Sequence, residues 1–545
     1  MSKPQLKTRK DNTQLMIIGG IVTVVALIGM VAFKLLSDSK TLSLSDAANI
    51  EHTVNIGVDD WAGYFYLCSN KTRQFAIEDG ILIQCEHEEN GIDFDERFQK
   101  LRDGELQLAA MTADTYVRVS DDHRTQFSSV VGVIDESFGG DAILMRKDLV
   151  IDGTTPTESF KQASRLSLGF TDESPSSMIV TSWKSDFGIQ LDDQTRYTVV
   201  ETEGSKDACD KLIRGEIDAA ACWEPHVTKA LDTGKFVKVI GSDETKNLIV
   251  DILVGNNDFI NKGDVLERVL KAYGKSMDFY GTNPDELDDD MSDYTNLKGK
   301  QLESLMNGIK WTTLVDNGTN WLGITYGGGL KGNIQLFDTF KIVTNLLISN
   351  DEISSSPFQN EDPFTAINST PISRVFAVGE SGNIGYPFIV PTKVENMGIS
   401  RPFKKASAAR WMKMKPVGSV DIPKIKFKSG KDEFQPAMEE QEAFTRIVDI
   451  LLKYPNYRLK IEGHTSCGTV DCKYDDVDAG MDLSKARAVA VHKVLVDQLG
   501  VHKNRVMTTG YGSSKPVKRR LVDGKFESKR AWLKRWARVE IILVR

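Results

Sequence analysis

Residues 212–231, LIRGEIDAAACWEPHVTKAL, decide how the chain is read. A helix over 206–214 gives way to a short apolar strand over 217–222, which runs into the turn Trp223-Glu224-Pro225. The same pattern precedes it: a strand over 166–170, a polar turn over 171–177 that opens a helix, and a strand over 198–200. Upstream, strands over 54–58, 81–85 and 106–111 alternate with segments of helical spacing. Strands alternating with helices imply an α/β fold with largely parallel sheets, whose ligands sit beyond the carboxyl ends of the strands. Asp59, Asp60 and Trp61 follow the first strand, and Thr112 and Asp114 follow the third. Apolar runs at 142–146 and 249–254 read as two crossings between two lobes, which predicts a hinged clamshell with its ligand in the cleft.

The quoted stretch resembles the second-lobe signature of the periplasmic binding proteins of nitrate, sulfonate and taurine importers, a group related to thiamine-precursor binding proteins. The match lies in a Gly-x-x-Asp-Ala strand leading to a Trp-Glu-Pro turn; RVLKAYGKSMDFY and NGIKWTTLVDNGTNW also look like the group's later helices. The resemblance covers about 52–321 and implies a type II periplasmic-binding-protein clamshell. Its ligand residues would be Asp59, Asp60, Trp61, Thr112, Asp114, Ser174, Ser176, Ser177, Trp223 and Glu224. A helix start at Ser174 invites an anion, whereas four carboxylates repel one. An amine, a zwitterion or a cationic heterocycle stacked on Trp61 or Trp223 suits them better. The competing reading leaves Asp59 and Asp60 solvating a loop and Glu224 capping a turn. No Ser-His-Asp set, phosphate loop or metal cluster marks an enzyme, so neither a cofactor nor a metal is expected.

Residues 15–33, LMIIGGIVTVVALIGMVAF, carry no charge. As a helix they would span roughly 28 Å, close to the ~30 Å core of a bilayer. Lys3, Lys7, Arg9 and Lys10 precede the run and only Lys34 follows closely, which orients the N-terminus to the cytoplasm. A cleaved signal peptide competes with this reading. The chain has 545 residues, 40% hydrophobic and 27% charged, with a net charge of -9 that argues against a nucleic-acid partner. Six cysteines fit an oxidising compartment. Successive pairing would join Cys68 to Cys85, Cys209 to Cys222 and Cys467 to Cys472; buried free thiols are the alternative. The acidic run 285–290 reads as a solvated loop.

From 422 onward a new strand–helix pattern begins. The strings IEGHTS, LSKARAVAV, GYGSSKP and RVEIIL, in that order, resemble the C-terminal domain of OmpA, shared with MotB-like stators and the peptidoglycan-associated lipoprotein. That family grips meso-diaminopimelate of the wall stem peptide with an Asp and an Arg: the guanidinium takes the carboxylate and the carboxylate takes the ammonium. The resemblance places Thr465, Ser466, Arg487 and Arg538 at this site, with Ser466 standing where the family has its Asp and Gly480 where it has Asn. The acidic loop holding Asp471, Asp475, Asp476 and Asp478 could supply the missing carboxylate.

The expected architecture is therefore a basic tail (1–14), a transmembrane helix (15–36), a linker (37–51), a clamshell (52–400, with 146–254 as its second lobe), a linker (401–421) and an OmpA-like α/β domain (422–545). The expected protein is a non-enzymatic, single-pass inner-membrane protein with its bulk in the periplasm, a small-molecule ligand, peptidoglycan and inner-membrane proteins as partners. A scaffold with an empty cleft and lost wall binding, or a solute-feeding subunit of an ABC importer, are the alternatives.

Overall fold

The computed structural model describes residues 50–87, 93–123, 125–324, 334–376, 403–437, 442–466, 480–522 and 525–545. The apolar run 15–33, the pair Cys467 and Cys472, and the acidic loop beside them lie outside the described residues. Among the described residues, no helix is long and apolar enough to cross a membrane.

In chain order the strands of the first part are β1 (His52–Val58), β2 (Ile81–His87), β3 (Leu108–Thr112), β4 (Ser128–Ser137), β5 (Asp141–Arg146), β6 (Leu166–Phe170), β7 (Tyr197–Glu201), β8 (Ala219–Trp223), β9 (Phe236–Gly241), β10 (Val250–Asn256) and β11 (Ile309–Trp311). They make a six-stranded sheet, β11-β4-β10-β3-β1-β2, and a five-stranded sheet, β7-β6-β8-β5-β9. β1, β2 and β3 run parallel, as do β6, β7 and β8; β4, β5, β9, β10 and β11 pair antiparallel. β3 and β8 are buried along their whole length and rich in alanine, which lets helices pack closely on both faces. Helix ends follow capping chemistry. The helix Phe94–Asp103 starts at Asp93, whose side chain accepts the Glu96 N–H, and stops at the left-handed Gly104.

The chain crosses between the sheets twice, from β4 to β5 and from β9 to β10. This corrects the expected lobe limits. β5 lies wholly in the second sheet, so that lobe begins before 146; β10 lies in the first, so that lobe resumes before 255. Both strands are mostly apolar and buried nearly throughout, so they read alike from sequence; only their hydrogen-bond partners separate them. The run 285–290 is likewise no loop. It lies in the helix Pro284–Thr295, where Pro at the first turn and acidic residues there complement the dipole.

The third sheet has order β12-β17-β13-β14, with β12 (Pro416–Ser419), β13 (Arg458–His464), β14 (Val506–Gly510) and β17 (Arg538–Val544). A hairpin of β15 (Leu521–Val522) and β16 (Lys525–Phe526) stands apart from it. β12 pairs antiparallel with β17, so residues 416–419, expected as linker, complete this sheet, with Val417 and Val420 buried. Cys68 is bonded to Cys85, and Cys209 to Cys222.

The third sheet docks on the second through a buried ionic cluster. Asp186, near the end of the helix Pro175–Phe187, is fully buried. It accepts from Lys453 Nζ at 2.8 and 2.9 Å, Arg446 Nη2 at 2.7 Å, Tyr454 Oη at 2.9 Å and Ser182 Oγ at 3.2 Å. Its backbone carbonyl accepts the Asp421 N–H at 2.7 Å. Gly418 leaves room for the Phe187 ring, and Arg545 pairs with Glu244 beside the second crossing. Burial lowers the Lys453 ammonium, and Asp186 pulls it back up. Removing one member of such a cluster strands a buried charge, at about 3–5 kcal/mol. Asp186→Ala should therefore lower the unfolding free energy by that order, measured by urea denaturation followed by circular dichroism; an unchanged value would contradict the assigned role.

Candidate ligand site between the lobes

The facing ends of the first two sheets enclose a cavity of about 20 Å³. That is room for one water, so the lobes are shut on one another in this structure. Its walls are Trp61, Tyr64, Phe94 and Trp223, with Asp59, Asp141 and Asp251 among them. Thr112, Pro175 and Ile249 complete the lining. Trp61 follows β1 and Trp223 ends β8, so the two indoles come from opposite lobes. Gly63 has no side chain because a Cβ there would overlap Asp135 and the Trp61 indole, which donates to Asp135 at 3.3 Å.

The carboxylates decide what this site can hold. Asp59 has a cation: Arg97 Nη2 lies 3.1 Å from its Oδ2, and the Trp61 N–H donates to Oδ1 at 2.9 Å. Asp135 and Asp251 are cross-strand partners on β4 and β10, both buried and hydrogen-bonded to one another. Tyr64 Oη donates to Asp251 at 2.6 Å. Burial raises both carboxyls, and the Asp135 charge raises Asp251 further while the bond to Asp251 lowers Asp135, so the pair holds a proton between them. Asp141 accepts from Ser137 Oγ at 2.6 Å, while its Oδ1 has no donor among the described residues. Burial pushes it up to about 7, with Asp114 and Glu224 adding to the rise. Among the described residues, Asp135, Asp141 and Asp251 form no ion pair. At an effective dielectric near 20, a unit charge about 4 Å from one ionised carboxylate gains or loses about 4 kcal/mol by its sign. Once ionised, these carboxyls repel anions and attract cations.

The remaining expected ligand residues are placed differently. Asp60 is exposed. Asp114 is buried outside the lining, 3.8 Å from Arg118, and burial raises its carboxyl. Ser174 caps the helix Pro175–Phe187 by accepting the Ser176 N–H; Ser176 donates to the Ala221 carbonyl and Ser177 to the Ser174 carbonyl. Ser174 and Ser176 spend their hydroxyls inside the second lobe, the Ser177 hydroxyl also accepts from Arg118 at 3.4 Å, and only Pro175 of that helix start reaches the cavity. Glu224 accepts from the Thr228 N–H at 3.0 Å and Oγ1 at 2.6 Å, a turn cap rather than a cavity wall. Asp135, Asp141 and Asp251 were missed because they lie in strands. Their signal was a single Asp in each of VVGVIDES, GGDAILM and LIVDILVG.

In the third sheet, the Arg487 guanidinium donates to the carbonyls of Lys431 at 3.0 Å and Lys428 at 3.4 Å and lies over the Phe427 ring. Thr465 is buried, with its Oγ1 3.4 Å from the Gly480 carbonyl, and Ser466 is half-buried. Arg538 pairs with Glu540 at 3.1 Å and donates to the Trp536 carbonyl. Glu462, His464 and Glu540 converge as three possible metal ligands. Cations already serve them: Lys515 lies 2.8 Å from Glu462, and although burial raises the Glu540 carboxyl, His464 and Arg538 hold it down to about 2.

Comparison with known proteins gives two regional matches. Residues 146–287 match the family described as NMT1/THI5 like, and residues 426–530 match the OmpA family. Outer membrane porin F of Pseudomonas aeruginosa is 33% identical over 90 residues, 16% of this chain and 24% of porin F, so the chain spans about a quarter of that relative. The periplasmic aliphatic sulphonate binding protein SsuA of Escherichia coli aligns at 14% identity and a TM-score of 0.43, over 58% of this chain and 92% of its own. The alkanesulfonate-binding protein SsuA of Xanthomonas axonopodis pv. citri, bound to MOPS, aligns at 10% and 0.40, over 60% and 98%. The desulfurization enzyme DSZB aligns at 9% and 0.42, over 59% and 98%. The chain thus joins an NMT1/THI5-like region to a C-terminal OmpA-family region.

Proposed function

We propose that this is a non-enzymatic cell-envelope protein whose two-lobed part captures an organic cation and whose C-terminal part engages peptidoglycan. The observation that carries the ligand class is the buried set Asp135, Asp141 and Asp251 without ion-pair partners, beside Trp61, Tyr64 and Trp223. An ammonium there favours ionisation of carboxyls that burial otherwise keeps protonated, and the aromatic faces add cation–π attraction. The lobes would part at the two crossings to admit it. The reading as a single-pass inner-membrane protein, with its bulk in the periplasm beside inner-membrane partners, rests on the apolar run 15–33 and its basic flank. The wall reading rests on the OmpA-family match; at Arg487 a stem-peptide carboxylate would displace the carbonyls of Lys428 and Lys431.

A thermal-shift panel of alkyl and aryl amines against alkanesulfonates tests the ligand class. At least one amine should raise Tm, and no sulfonate should. Affinity should rise with pH through about 7, as Asp141 gives up its proton, and fall in Asp141→Asn. Stabilisation by sulfonates alone would sink the reading, and silence from every amine would favour a scaffold with an unused cleft.

The apo protein's stability carries the opposite slope. Folded Asp141 keeps its proton up to about pH 7, whereas the unfolded chain releases it near 3.8. Its contribution therefore makes stability fall as pH rises between those values and level off above them. Urea midpoints at about pH 5 and about pH 8 should converge in Asp141→Asn relative to wild type.

For the wall, purified peptidoglycan should retain the wild type and lose Arg487→Ala in a pulldown. Equal retention of both would remove Arg487 from the assignment.

A further inference from the structure

The chain's charge is not spread evenly. Residues 515–538 hold ten Lys and Arg against two acidic residues, in a chain of net charge -9. One of those acids, Glu527, is taken up by Arg535. Lys518, Lys529, Arg530 and Lys534 are exposed with no ion pair among the described residues, and Arg520 is exposed beside Glu527. Lys525 is exposed too, beside Phe526 on β16, whose ring is 63% exposed. Arg519 lies over the rings of Phe526 and Trp532, at 5.5 and 5.9 Å, which binds hairpin and helix Lys529–Trp536 into one surface. The positive field reaches inward: besides its burial, the charges of Lys534, Arg487 and Arg538 lower the Lys424 ammonium.

We propose that this strip, the paired strands Leu521–Val522 and Lys525–Phe526 with the helix Lys529–Trp536, docks on the anionic phospholipid headgroups of a bilayer. Clustered cations draw anionic lipid, and an exposed aromatic ring at their centre suits the headgroup–acyl boundary, where a purely polar polyanion has no use for it. The proposal rests on the apolar run 15–33 holding the chain at a membrane, which puts that surface at high effective concentration.

The test uses the full chain mixed with vesicles of phosphatidylcholine, alone or with phosphatidylglycerol. Flotation first reports the apolar run: a chain that floats with neither kind of vesicle has no anchor, and the proposal falls with it. For a chain that floats with both, acylation of Lys525 and Lys529 by a membrane-impermeant reagent is read by mass spectrometry against Lys262. Phosphatidylglycerol should slow it several-fold, and high salt should restore it. The triple variant Lys518→Glu/Arg520→Glu/Arg530→Glu should lose the protection, and Phe526→Ser should weaken it at unchanged charge. Equal acylation in both vesicles overturns the proposal. So does protection that appears only on adding an oligonucleotide or soluble wall fragments, since the strip would then serve a polymer. Unchanged circular-dichroism spectra and melting of the variants report that their fold is intact.

Discussion

One buried carboxylate, Asp186, sets how the molecule is assembled. It receives Lys453, Arg446 and Tyr454 from the helix Glu442–Lys453 and the turn after it, and Ser182 from its own helix. Two buried opposite charges stabilise a structure only where geometry repays their desolvation, and here four side-chain donors converge on two oxygens. The same helix, Pro175–Phe187, begins at the cleft with Pro175 and ends at this cluster. One rigid element thus connects the cavity wall to the third sheet. Arg545 on Glu244 adds a second attachment beside the crossing into β10. The second and third sheets are tied by ion pairs, whereas the first and second are joined covalently by two short crossings.

The cleft follows the opposite economy of charge. Asp59 is balanced by Arg97, which also donates to the Ala110 carbonyl, so that pair holds β1 to β3. Asp135, Asp141 and Asp251 face inward without such balance. Charged groups left unpaired in a core are costly, and the protein meets that cost by keeping protons on them. A site of this kind is held ready for a positive charge, because neutral carboxyls can ionise when one arrives.

The α/β order was legible because strand–turn–helix alternation survives in the letters, and Asp59, Trp61, Thr112 and Trp223 line the cavity because they sit at or just beyond strand ends. Membership of β5 and β10 was not legible, since an apolar strand does not announce which sheet it joins. Ser174, Ser176, Ser177 and Glu224 have the right chemistry for a ligand and spend it on their own backbone. Arg487 likewise holds two of its own chain's carbonyls. Residue type marks capacity for a hydrogen bond, and only coordinates show whether that capacity is already used. The strand aspartates are the reverse case: an Asp within a largely apolar strand marks a carboxyl that the fold turns inward.

The protonated pair on β4 and β10 also changes what the formal charge means. The count of -9 and the isoelectric point near 5.5 treat every carboxyl as an ordinary one. Burial holds protons on Asp135, Asp251 and Asp141 at acidities where solvated aspartates have lost theirs. The folded molecule is therefore less negative than its denatured chain in mildly acidic solution, and in native isoelectric focusing it comes to rest at a higher pH than the same polypeptide in urea.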